Sequence, residues 1–380
     1  MKFETFELER IQSLYENTVK YNLTESGIHP YTPRELLSEQ EIETMLNLRL
    51  GYGQTNGSIE LREAICQHYP GAGIDNVLVT NGSAESNFTF AWSNIQAGDE
   101  VIVMLPNYMQ IWGIARYLGA DVNPFFLKED LNWAPDIDAL KKQVSDRTKL
   151  ICLCNPNNPT GAILDANAMD AIVEIARGAA AMLHVDEIYR GAELEGHETP
   201  TFYGLYPKTI ITMSLSKSYS LPGLRMGWLV GPEALMEKGW AYHDYTSIST
   251  TIVSQYIATQ VMQPKRRKAV LSRGRTLLRD NLSAFQDWVD RHPGLFHFIP
   301  PRAGGMAFMR YNMDINSTEL SDKLRQEKSV FVIPGDCFGM DHYLRIGIGG
   351  KKNLLLAGLN LMDETLAGLK QQDTQTLSQN

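Results

Sequence analysis

Lys217 stands in the run SLSKSYSLPGLRMG, residues 214–227, directly after the apolar, β-branched stretch Thr209 to Met213 and just before a Leu-Pro-Gly turn. The apolar stretch reads as a buried strand. A lysine that folding buries gives up its proton readily, and a neutral amine is what forms a Schiff base with an aldehyde. Ser214, Ser216, Ser218 and Ser220 surround it and Arg225 follows eight positions on; hydroxyls and a guanidinium are donors suited to a phosphate. An aldehyde cofactor carrying a phosphate meets all three conditions. Alone, a Ser-x-x-Lys is far more often a surface lysine at the edge of a strand, so the other chemistry-bearing positions have to decide.

Asp186 ends the apolar run of AAAMLHVDEIYRG, where a carboxylate is costly unless a cation pairs with it. A helix cap is the plain alternative. Tyr189 follows three residues later. Asn158 lies in NPNNPTG, a rigid turn after the apolar segment 148–154, and Tyr108 lies just past the apolar segment 100–105, where an aromatic ring can stack on a planar ligand or simply pack. Gly82, Ser83 and Ala84 form a turn into a helix whose first N–H groups make a phosphate cradle. Arg345, in HYLRIGIG, sits mid-strand among apolar residues; a buried guanidinium requires a carboxylate, internal or from a ligand.

In the order Asn158, Asp186, Tyr189, Ser214, Lys217, Arg225, together with NGSAES, NPNNPTG and the Tyr52-to-Gly57 segment before LRE, the chain resembles the aminotransferase class I/II family of fold-type I enzymes that use pyridoxal 5'-phosphate. The resemblance runs from about residue 25 to about residue 350. It implies an α/β fold with a large domain built on a mostly parallel central sheet and a smaller α+β C-terminal domain. It implies that Lys217 carries the cofactor and that Asp186 pairs with the pyridine nitrogen. Gly82, Ser83, Ala84, Ser214 and Arg225 would hold the phosphate, Tyr108 would stack on the ring, and Asn158 and Tyr189 would bond its phenolate oxygen. Tyr52 would reach the cofactor of a neighbouring subunit, hence a homodimer with shared active sites. Arg345 would hold the substrate's α-carboxylate, with Gly27 and His29 in a loop that closes over the substrate.

The resemblance leaves the later chemistry open between amino transfer and a lyase or cyclase route. TESGIHPYTPREL, HDYTSIST and VFVIPGDCFG look more like capreomycidine synthase and related enzymes of guanidino amino acids than like aspartate aminotransferase. No second arginine is evident for a dicarboxylate side chain, whereas Glu9, Glu16, Asp244 and His29 offer negative or hydrogen-bonding contacts to a cationic one. In the lyase or cyclase route His29, with an ordinary pKa of about 6.5, is the expected acid for a departing hydroxyl.

The whole chain agrees with a small-molecule enzyme. Its 380 residues allow two domains, and a composition 43% hydrophobic and 21% charged is that of a globular protein. A net charge of −9 argues against a general nucleic-acid binder, which needs a basic face. No apolar run reaches the ~18 to 20 residues of a membrane span, and the start lacks a signal-peptide core, so a cytoplasmic protein is expected. The four cysteines are too scattered for a disulfide framework or a metal site.

The elements expected to position these residues follow from periodicity. Residues 4–22 predict an amphipathic helix, 23–33 a loop broken by Gly27, Pro30 and Pro33, and 75 onward alternating buried strands and helices. Residues 241–262 predict one long connecting helix. A C-terminal unit holds helices near 267–290 and 317–328 and strands at 295–299, 305–310, 329–333 and 343–348. The expected division is 1–40, 41–262, 263–370 and a disordered polar tail, 371–380.

Overall fold

The computed structural model describes residues 3–377. A two-stranded parallel pair joins Tyr21–Asn22 (β1) to a late segment of the chain. Between them lies an eight-stranded sheet made of Val77–Thr80 (β2), Glu100–Leu105 (β3), Asp121–Lys128 (β4), Ala134–Pro135 (β5), Thr148–Cys154 (β6), Met182–Asp186 (β7), Thr209–Ser214 (β8) and Gly227–Val230 (β9). The spatial order is β2-β9-β8-β7-β6-β3-β4-β5. Its centre, β8 to β4, is parallel, while β9 runs antiparallel to both β8 and β2. Two reversals therefore restore β2 to the direction of β8.

These strands form because VLVT, VIVML, LICLC and TIITM are continuous apolar runs with both faces covered, the pattern of a parallel sheet between helices. Every residue of β2, β3, β7 and β8 is buried. The consequence for function is directional. The carboxyl ends of β2, β3, β6, β7 and β8 open on one edge of the sheet, and the segments leaving them are those that carry Gly82, Tyr108, Asn158, Asp186 and Lys217.

The second sheet contains Phe296–Phe298 (β10), Met306–Tyr311 (β11), Ile333–Pro334 (β13) and Tyr343–Gly347 (β14), in the antiparallel order β10-β11-β14-β13. Val330–Phe331 (β12) is the strand that β1 joins, so the N-terminal segment is tied to the C-terminal part of the chain. A distinct core, including Leu278, Phe285, Trp288, Leu320, Leu324 and Ile346, lies under this sheet. Arg345 is mid-strand in β14, opposite Phe308 and Ile333.

Three elements differ from expectation. The first helix spans only Glu7–Tyr15; it buries Leu8, and Leu14 is turned outward. Residues 241–262 are not one helix: Glu233–His243 ends there and Ile252–Met262 begins after a turn. The hydroxyls that interrupt it have partners elsewhere, Thr246 and Ser247 donating to Glu85 at 2.6 Å, while Thr251 caps the second helix by accepting from Ser254 N–H. Finally, the helix beginning at Lys352 runs to Leu377, into the segment expected to be a disordered tail; residues 378–380 lie outside the described chain. Its first half is anchored by buried Leu355, Leu359, Met362 and Leu366, and a helix once nucleated propagates through polar residues at little cost.

Candidate active site

A cavity of about 290 Å³ lies at the carboxyl edge of the large sheet, between it, the first helix and β14. Lys217, Asp186, Tyr189, Asn158, Tyr108, Ser83, Ala84, Arg225 and Arg345 all line it. Residues from six separate segments are thereby brought to one wall.

Asp186, at the end of β7, is nine-tenths buried; its Oδ1 accepts the Ile188 N–H at 3.0 Å and the Asn87 side chain reaches it from the Ser83–Asn94 helix. Among the described residues no cation forms a salt bridge with it. Burial therefore pushes the carboxyl up to about 6, only partly offset by those hydrogen bonds and by the charge of Lys217.

The Ser83–Asn94 helix starts without a side-chain cap: its N-cap is Gly82, at φ +83°, so the leading N–H groups are open to a ligand. Arg225 sits where a Cβ on Gly82 would be, and a Cβ on Gly227 would stand 2.6 Å from Ser83 N. Glycine at both positions is what lets the guanidinium meet the helix start.

Arg345 is 1% exposed. Its Nη1 donates to Asn158 Oδ1 at 2.9 Å and its Nη2 to Thr24 O at 2.8 Å, while its Nε is buried without a partner. No salt bridge engages it among the described residues. Asn158 thus uses its carbonyl oxygen on Arg345 and keeps its amide nitrogen for the cavity. Tyr189 donates to Ser26 Oγ at 2.8 Å, with burial pushing its phenol up to about 12. Tyr108 donates to Glu9 Oε1 at 2.8 Å and meets Phe6 edge-on at 4.8 Å, which ties the cavity to the first helix.

Lys217 corrects one expectation. Its Nζ forms a 2.7 Å ion pair with Glu25 Oε1. Burial acts to neutralise the amine, but the nearby Glu25 carboxylate and Tyr189 outweigh it and hold the ammonium above its ordinary pKa. Reciprocally, Lys217 draws Glu25 down to about 2. The chain alone thus presents a charged lysine rather than a free amine.

Several expected site residues are placed elsewhere. Ser214 is fully buried behind the wall, its Oγ accepting from Ser216 N–H, and Ser216 lines the cavity instead. His29 lies outside it: the Arg273 guanidinium binds its carbonyl oxygen, and burial with Lys351 and Arg273 nearby lowers its pKa. A ring away from the cavity is not placed to protonate a leaving group. Asp244 is exposed at a helix end, and Tyr52 is 86% exposed and away from this chain's cavity. Gly27 is at the site through its packing on Lys217. Glu9 and Glu16 do line the cavity. Glu25, Ser26 and Asn87 join the site without a strong sequence signal; that of Glu25 is a charge two residues before Gly27.

A lysine and an aspartate at neighbouring strand ends, an open helix start beside an arginine, and a buried arginine lacking a carboxylate define a site for a phosphate-bearing aldehyde and an amino acid. Sequence comparison gives the same class. The family model for aminotransferase class I and II matches residues 22–359, and the chain belongs to that family. It is 29% identical to capreomycidine synthase of Streptomyces vinaceus over 358 residues, 91% of this chain and 90% of that one. It is 28% identical to an aspartate aminotransferase of Pyrococcus horikoshii, covering 84% of each. A PLP-dependent aminotransferase from Streptococcus suis superposes with a TM-score of 0.92 at 31% identity, covering 97% of this chain and 99% of that one. The protein is thus an aminotransferase-like, pyridoxal phosphate-dependent enzyme.

The residues present fit that cofactor. Asp186 is a buried carboxylate lacking the cation that a protonated pyridine nitrogen supplies. The uncapped helix start with Ser83, Ala84 and Arg225 offers donors to a phosphate, and Lys217 reaches the same cavity. No described helix is long and apolar enough to cross a membrane.

Proposed function

We propose that the enzyme acts at the Cα of an L-amino acid whose side chain carries a cation of the guanidino type, and that amino-group transfer is its reaction. The observation that carries the side-chain assignment is a second set of charges in the same cavity. Glu9 and Glu16, from the first helix and its end, line the wall together with Glu25. Neither Glu9 nor Glu16 makes a salt bridge among the described residues, and Glu16 is raised by burial and then by the adjacent Glu25 and Glu9. Uncompensated negative charge above the lysine favours a cationic substrate end and disfavours a carboxylate one.

The chain's own residues divide the work. Arg345 grips the α-carboxylate by its planar fork, Asn158 and Thr24 fixing the plane of the guanidinium. Bound pyridoxal phosphate supplies an electron-withdrawing ring that stabilises negative charge at Cα. Asp186 keeps the ring nitrogen protonated, and Lys217, once its nitrogen is free, removes the Cα proton as general base. The first helix covers the cavity, held by the bond from Tyr108 to Glu9, and so limits water there.

A second reading, dehydration and ring closure on a hydroxylated guanidino amino acid, rests on the likeness to capreomycidine synthase along most of both chains. We also infer a homodimer: Leu46, Leu50, Tyr52 and Tyr245 are each at least 70% exposed, more large apolar surface than a lone chain usually leaves to water, and Tyr52 is free to reach a second copy's cofactor. A panel of amino acids with and without 2-oxoglutarate, followed by product mass analysis, tests the reading. Turnover of arginine-type substrates that depends on the oxo acid supports transfer; loss of water without exchange of nitrogen supports ring closure.

A further inference from the structure

The Glu25 carboxylate is held in an unusual way for a cavity residue. Its Oε1 accepts from Lys217 Nζ at 2.7 Å and from the Gly27 backbone N–H at 2.8 Å, so the oxygen that holds the lysine is itself fixed by a main-chain donor. The Glu25 side chain lines the cavity and is half exposed. Gly27 makes the arrangement possible: a Cβ there would stand 3.1 Å from Glu25 Oε1 and 3.3 Å from Lys217 Cδ.

We propose that Glu25 is the standing counter-ion of Lys217, a positioning residue that captures the lysine ammonium whenever its nitrogen is not bonded to the cofactor. The inference rests on the proposed role of Lys217 as base. It is carried by the pair's geometry and by what else faces the two groups. Tyr189 and the Asp186 carboxylate also approach Lys217, and Arg345 approaches from β14; Glu25 itself faces Lys217, Arg345 and Glu16. Of these, only Glu25 makes an ion pair with the lysine.

The two tasks of Lys217 then respond in opposite ways. To attach, the lysine must be an amine: its nitrogen bonds to the aldehyde carbon, and the carbonyl oxygen leaves as water with both amine protons. Glu25 opposes that step by stabilising the ammonium. When Lys217 later accepts the Cα proton, the ammonium formed is the species Glu25 holds, so Glu25 makes the lysine a stronger base and favours removal of that proton.

The test compares Glu25→Gln and Glu25→Asp with the wild type, loading ligand-free protein with pyridoxal phosphate across pH and fixing the product with borohydride for peptide mass analysis. With the charge gone, burial and Arg345 dominate, and the pH of half-maximal loading rate should fall by about one to three units in the glutamine variant. Cα hydrogen exchange into deuterium oxide should fall at least tenfold, and the aspartate variant should lie nearer the wild type in both. An unchanged loading profile in Glu25→Gln, or an aspartate variant further from the wild type than the glutamine one, would overturn the proposal. Failure of the wild type to take label on Lys217 would instead remove the role of Lys217 on which it rests.

Discussion

Arg345, in the middle of β14, donates from Nη1 to Asn158 Oδ1 at 2.9 Å, so the C-terminal sheet reaches directly into the turn that follows β6 of the large sheet. One bond aligns the two halves of the site. In the roles proposed for them, Arg345 and Asn158 would be mechanically coupled, since the bond that orients the guanidinium also fixes the side chain of Asn158.

Replacing Arg345 by Lys keeps the charge and loses the planar fork. The KM for the amino acid should rise about 30-fold or more, as expected when a buried charged hydrogen-bond pair worth about 2 kcal/mol or more is broken. Steady-state kinetics with the cofactor saturating checks it; an unchanged KM would assign Arg345 to structure alone.

Asp186 sets a trade between stability and function. Its folded pKa of about 6 is above the ordinary 3.8, so the stability this group adds is fully present below the unfolded value and is lost as pH rises through about 6. In the ligand-free protein Asp186→Asn should raise Tm at pH 8, by up to about 3 kcal/mol in stability, with the gain shrinking towards pH 4. With cofactor and substrate present the order reverses, since the ring nitrogen loses its counter-charge and most activity is lost. Calorimetry across pH and a turnover assay read the two effects separately.

The cationic-substrate assignment predicts that Glu9→Gln and Glu16→Gln each lower kcat/KM for arginine roughly fivefold while leaving norvaline nearly unchanged. Because Glu16 is raised above its ordinary value, acidification should neutralise it earlier than an exposed glutamate and raise the arginine KM first. Equal losses for both substrates would count against the assignment.

Much of this site was legible because each polar residue interrupts or ends an apolar run: Asp186 after MLHV, Lys217 after TIITM, Arg345 within YLRIG. Burial of a charge at a strand end is a cost that a sequence displays. Glu25 displayed nothing comparable, since its meaning depends on Lys217, 192 positions away, approaching Gly27. The misplacement of His29 has the same origin: loop position is set by Arg273 and Gly349, both remote in sequence. The turn inside 241–262 was hidden for a different reason, because the hydroxyl-rich segment finds its partner in Glu85, on another helix.

Shared sites in a dimer predict subunit complementation. Tyr52→Ala and Lys217→Ala homodimers should each have little activity, and mixing after mild dissociation should restore part of it, because one site of each hybrid then has both wild-type residues. Activity assays on the mixture, with sedimentation to confirm the dimer, decide the point; no recovery would place Tyr52 in its own subunit's fold.

We assign attachment of the cofactor to Lys217, at the carboxyl edge of the large sheet. Borohydride reduction of the cofactor-loaded protein, followed by peptide mass analysis, is the decisive measurement. A phosphopyridoxyl mass is expected on the peptide containing Lys217 alone, with loss of both the label and the yellow colour in Lys217→Ala. Label on any other lysine, or label retained in that variant, would contradict it.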